Sequence, residues 1–173
     1  IERVIKRHAR TWAEIGVLSW VPALTTMSMT AAGALFLGTD PDRDDPRFED
    51  AFAAATKGVL AIPIRLPFTA YGKALRARDF IRARVEEAFA AHQETGRRDA
   101  MARAIAARSK DGARLTKEQL CTETFHFFGA YVPVIGALSM LGMLLGRHPE
   151  VKERLRDEIR ERLPSGPNTA ARL

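Results

Sequence analysis

The chain has a single cysteine, Cys121, and four histidines among its 173 residues. One cysteine excludes an intrachain disulfide framework and a thiolate-rich zinc site, and makes a reducing, cytoplasmic setting the default. Charge is missing from two long runs, Gly16 to Gly38 and Phe125 to Gly146. No internal repeat is present, and the only stretches that read as extended are short, near Gly16 to Val21 and Ile62 to Leu66. No signal peptide is visible, and residue 1 is Ile within what already reads as a helix, so the numbering is expected to start inside an element.

What is present suits one domain or a piece of a larger one. Lys and Arg number 27 against 21 Asp and Glu, a formal net charge of +6, with 46% apolar and 28% charged residues, which is ordinary globular usage. Ile1, Val4, Ile5, His8, Trp12 and Ile15 recur at helical spacing and predict an amphipathic helix ending near Gly16. Further helices are predicted from about Ala23 to Leu37, from Pro46 to Gly58, along Tyr71, Leu75, Ile81, Val85 and Phe89 up to Gly96, and from Met101 to Arg108. Thr116-Lys-Glu-Gln119 looks like a helix cap. The apolar run that follows, with Pro133 inside it, is the signature of a helix buried on all sides or lying in lipid. A charged helix, Val151 to Leu163, comes after His148-Pro149. The predicted fold class is therefore all-α.

Specific strings then become familiar. Phe128-Gly-Ala130 in the apolar helix is followed by Leu144-Leu-Gly-Arg-His-Pro-Glu-Val-Lys-Glu-Arg-Leu-Arg-Asp-Glu158. Upstream lie Leu66-Pro-Phe-Thr-Ala-Tyr-Gly-Lys-Ala-Leu-Arg-Ala-Arg-Asp79 and the turn Lys110-Asp-Gly-Ala-Arg-Leu-Thr116. In this order they resemble the cytochrome P450 haem-thiolate monooxygenase family, nearest to its sterol-demethylase and retinoid-hydroxylase-like branch. The resemblance implies a single partial domain over residues 1–173, running from helix D to just past helix J. The family's N-terminal part and its C-terminal haem-ligand loop would lie outside it.

By the same resemblance the apolar helix is the family's helix I, which crosses the haem with a small-residue dip followed by an acid and a threonine. Gly129 and Ala130 occupy the small pair and the distal haem face, Tyr131 follows, and Val132 and Pro133 take the acid and alcohol positions. Val132 and Pro133 can neither donate nor accept a proton, so an atypical peroxygenase or isomerase chemistry is implied beside the monooxygenase one. Pro133 also removes a backbone donor and is expected to open the helix. Cys121, in Gln-Leu-Cys-Thr-Glu on a helix start, does not resemble the axial cysteine loop, so no metal ligand is assigned and residues 1–173 alone are expected to be inactive. Phe128, Ile62, Leu66 and Phe68 are the expected substrate-pocket residues, the last three in a loop that would roof the pocket. His126 is expected to be a partly buried core residue and His148 a helix-start residue.

The implied whole protein uses haem, a lipophilic small-molecule substrate and an electron-transfer redox partner. No nucleic-acid motif accompanies the arginines at 76, 78, 82 and 84. The alternative is a non-catalytic helical module or a small two-span membrane protein, since both uncharged runs have spanning length and Gly142 to Gly146 forms a G-x-x-x-G pattern. Pro22 and several hydroxyls weaken the first run as a span, and no membrane span is favoured.

Overall fold

A computed structural model describes residues 1–95 and 99–162. Among them are seven α-helices: α1 (Glu2–Ile15), α2 (Trp20–Ala32), α3 (Pro46–Gly58), α4 (Ala70–Thr95), α5 (Ala100–Ala106), α6 (Lys117–Arg147) and α7 (Pro149–Arg162). The described residues contain no strand, only an isolated antiparallel bridge between Arg108 and Arg114. Local chemistry sets the boundaries. Gly16 ends α1 with a φ of 77°, a region that costs a residue with a Cβ. Asp45 accepts from the Phe48 N–H at 3.0 Å, with Pro46 in the first turn of α3. Thr116 and Gln119 form a reciprocal capping box at the start of α6, with bonds of 3.2 and 2.8 Å.

The core forms where α2, α3, α4 and α6 present apolar faces to one another. Phe128 of α6 is completely buried, with its ring centroid 4.8 Å from that of Phe48 and 5.9 Å from that of Phe52, both on α3. Ile81 and Val85 of α4 and Met29 of α2 close the same cluster. Burying one such side chain contributes about 1.5–3 kcal/mol, so this aromatic contact is a principal tie between α3 and α6. α3 and α4 run back against each other so closely that a Cβ on Gly58 would collide with the Ala74 side chain. His92, wholly buried, spans the Ala88 carbonyl and the Asp99 carboxylate at 2.6 Å each, joining the end of α4 to the cap of α5.

Several sequence expectations need correction. The second helix begins at Trp20 rather than Ala23, because Pro22 falls in its first turn, where no intrahelical N–H is needed. It ends in a π-helical turn, Gly33–Leu37. The stretch Ile62 to Leu66 forms no strand and lies in the α3–α4 loop. His126 is exposed, its side chain retaining 67% of its accessible surface, because the inward face of α6 is Leu120, Thr124, Phe128 and Ile135. α6 also runs as one helix through Pro133. It is buried on one face only, with Leu138, Met140, Leu141, Met143 and Leu144 exposed. The expected helix stops at Gly96 and Leu163 lie outside the described residues.

Two helical stretches, Trp20–Leu37 and Lys117–Arg147, are long and apolar enough to cross a membrane. The first is partly buried in the helical core, and the second is largely exposed.

Candidate functional site

A groove of about 540 Å³ opens between the end of α3, the first half of α4 and the start of α6. That volume is in the range of small-molecule pockets. Its floor is apolar, from Ala55, Val59, Leu75, Ile81, Val85 and Phe125, and its walls carry Arg78, Arg82, Glu118, Thr122 and His126. On α6 the lining positions Glu118, Thr122 and Phe125 follow the three-to-four residue repeat of one helical face. Continued along the unbroken helix, the same repeat reaches Gly129 and then Val132 and Pro133. The groove, Gly129, Val132 and Pro133 therefore share one face of α6, with Ala130 and Tyr131 off it.

That face is open around Gly129. A Cβ on Gly129 would meet nothing within 4 Å, and Ala130, Val132 and Pro133 are exposed, Val132 retaining 49% of its surface. Pro133 has no N–H to return to the Gly129 carbonyl one turn back, so that oxygen is left without its helical donor. Tyr131 belongs to the other face, three residues on from Phe128, where it packs against the core cluster. Burial raises its phenol above the ordinary value, so at neutral pH it stays protonated.

The other expected site residues are placed as follows. Phe128, expected in the substrate pocket, is instead enclosed in the core by Phe36, Phe48 and Phe52 and is not among the residues lining the groove. Its neighbour Phe127 is 43% exposed and stacks on Phe36 with centroids 4.8 Å apart and planes 3° from parallel. Nothing in an uninterrupted aromatic run distinguishes the two. Ile62, Leu66 and Phe68 are exposed in the 59–69 loop. This loop folds back on the start of α4: the Thr69 hydroxyl donates to the Ile64 and Leu66 carbonyls, and Arg76 donates to the Pro67 carbonyl at 2.6 Å. A Cβ on Gly72 would collide with the Leu66 carbonyl oxygen, so the loop approaches the helix backbone there. The loop touches the groove at its beginning, through Val59.

Gly129, with nothing within 4 Å of a Cβ, and the exposed apolar Val132 one turn on leave room for a flat apolar ring system such as the haem that the resemblance implies. Iron ligation is another matter. Cys121 lines the groove eight residues before Gly129, about 12 Å along the helix axis. Burial, with Glu86 adding to it, pushes its thiol up, away from the thiolate form that binds iron. Among the described residues no group of three or more His, Cys, Asp or Glu is arranged to hold a metal ion.

Comparison with known proteins gives a consistent result. A family model described as Cytochrome P450 matches residues 9–172. The chain is 28% identical over 161 residues to "Putative cytochrome P450 120" of Synechocystis sp., covering 91% of this chain and 36% of that protein. It is 28% identical over 167 residues to "Cytochrome P450 26B1" of Danio rerio, covering 92% of this chain and 33% of the other. Its fold superimposes on the solved structure "Retinoic acid bound cyanobacterial CYP120A1" with a TM-score of 0.83 at 28% identity, over 97% of this chain and 39% of that one. The chain thus spans about a third of the length of the relatives it matches.

Proposed function

Because the chain belongs to the cytochrome P450 family, we propose that the whole protein is a haem-dependent oxidoreductase that oxidises a lipophilic small molecule with activated oxygen or peroxide. Residues 1–173 form a single partial domain that supplies the substrate roof and part of the distal haem wall. The observation that carries this reading is the shared face of α6, on which an apolar groove roofed by α3 and α4 leads to the open positions Gly129, Val132 and Pro133. An electron-transfer partner and a cytoplasmic location complete the proposal. The relative solved with retinoic acid bound makes retinoic acid the lipophile to test.

Haem, when bound, supplies the iron at which oxygen or peroxide is activated. The chain's own residues do the rest. Gly129 allows close approach of a flat ring to the helix, and Phe125, Leu75 and Val59 exclude water from an apolar substrate. Val132 and Pro133 hold no transferable proton, and Tyr131 faces the core, so this wall offers no side-chain proton relay. That favours an oxidant or substrate that brings its own protons, as a peroxide does. Alone, residues 1–173 are inactive in this proposal.

The test uses the full-length protein. Its reduced, carbon monoxide-bound spectrum is expected to be of haem-thiolate type, and peroxide is expected to sustain turnover better than oxygen with a reductant. The double substitution Val132→Glu, Pro133→Thr is expected to raise the oxygen-driven rate by about a hundredfold, the usual scale of general acid–base assistance. A full-length protein that takes up no haem would leave the helical-module alternative in place.

A further inference from the structure

The groove also carries an unequal charge. Its lining includes two guanidinium groups, Arg78 and Arg82, against one carboxylate, Glu118. The two arginines are not equivalent. Arg82 is held by Glu86 one turn along α4 at 3.2 Å, and Glu86 is also bound by Lys117 at 3.3 Å, so the Arg82 guanidinium is already engaged with a carboxylate of its own helix. Arg78 contacts Asp79, its neighbour in sequence, at 2.8 Å, and both side chains keep nearly two thirds of their surface. An ion pair so exposed contributes little, and exchanging Asp79 for another carboxylate costs correspondingly little.

We propose that Arg78 is a specificity-determining residue that binds the carboxylate of a lipophilic carboxylic acid, whose hydrocarbon lies on the floor formed by Leu75, Val59 and Phe125. This deepens the proposed function and rests on it. A guanidinium presents a planar fork of donors that matches a carboxylate bidentately, which an amide or hydroxyl does not do. The apolar floor beside it takes the hydrocarbon of the molecule out of water, and the fork geometry rather than a dry setting makes the contact selective for a carboxylate. His126 and Thr122 on the facing wall can accommodate a polar group, but neither brings a fixed positive charge.

The test compares retinoic acid with its methyl ester, two ligands of nearly equal apolar surface, by equilibrium titration of the full-length holoprotein. The unsubstituted protein is expected to bind the acid about tenfold more tightly than the ester, on the scale of one charge-assisted hydrogen bond. Arg78→Gln and Arg78→Ala are expected to abolish that difference while leaving ester affinity unchanged, and Arg78→Lys to keep part of it. The exposure of Arg78 makes these substitutions compatible with folding, and circular dichroism checks it. Equal affinity for acid and ester in the unsubstituted protein, or an equal loss of both on substitution, would overturn the Arg78 assignment and leave the proposed function standing. Failure of the holoprotein to bind either ligand would overturn the Arg78 assignment, while the haem-thiolate spectrum of the same preparation tests the proposed function separately.

Discussion

The guanidinium Nη2 of Arg7 lies 3.0 Å from Nε2 of His8. The same Nε2 lies 3.3 Å from Asp44 Oδ1, so it stands between a group that only donates and a group that only accepts. The same Arg7 holds Asp44 at 2.5 Å, and Asp44 also accepts from the Thr30 hydroxyl at 2.6 Å. One carboxylate thus pins α1 and α2 to the loop before α3.

This arrangement makes stability depend on pH. Burial, reinforced by the nearby Arg7 charge and opposed by Asp44, holds His8 below its ordinary value of 6.5. Between the folded and unfolded values the unfolded chain binds the proton and the folded chain does not, so acid favours unfolding. Stability from this group is complete above about pH 6.5 and is lost as pH falls through the lower folded value. Asp44 adds a second loss further down. Burial opposes its ionisation, but the Arg7 and Thr30 hydrogen bonds outweigh that and keep it below 3.8. Denaturant unfolding of the full-length protein at pH 7.5 and 5.5 is expected to show the fall. His8→Gln, which keeps an acceptor for Arg7, is expected to flatten it; an unchanged slope would remove His8 from this role.

The two adjacent phenylalanines separate packing from surface. Phe128→Ala leaves a cavity among Phe36, Phe48 and Phe52 and is expected to cost about 3–5 kcal/mol. Phe127→Ala loses a stack that is already 43% exposed and is expected to cost about 1 kcal/mol. Denaturant midpoints of the two variants read the difference, and equal costs would contradict the inward assignment of Phe128.

Residues 1–173 prepared alone are expected to self-associate. Leu138, Met140, Leu141, Met143 and Leu144 form an exposed apolar surface on the second half of α6, of the kind that drives association. Light scattering is expected to report particles larger than a 19.2 kDa monomer. A monodisperse monomer would mean that this surface needs no cover.

The helices were readable from the sequence because each carries a local marker. Asp45-Pro46 and Thr116 with Gln119 announce helix starts, and the stripes on α1 and α4 have the helical period. The inward face of α6 was not readable for a physical reason. Between Phe125 and Gly146 every position is uncharged, so periodicity carries no contrast between inside and outside. His126 and Phe128 therefore stand apart only once α2 and α3 are packed against the helix. Pro133 lies inside α6, and a helix with an adequate cap at Thr116 and apolar contacts around it tolerates the loss of the one hydrogen bond that proline removes. The groove is a product of tertiary packing alone, since Leu75, Val59 and Phe125 come from separate elements.

The central claim is that the Gly129 face of α6 borders the substrate beside the haem, and Gly129→Leu tests it directly. Among the described residues a Cβ at this position meets nothing within 4 Å, and leucine is about 1 kcal/mol more favourable than glycine inside a helix, so α6 itself is not expected to be destabilised; the haem spectrum checks that the variant still holds haem. In the full-length holoprotein, the spectral titration with retinoic acid is expected to show affinity reduced by about tenfold or more, on the scale of the steric costs of overfilling a packed site. An unchanged titration would contradict the account.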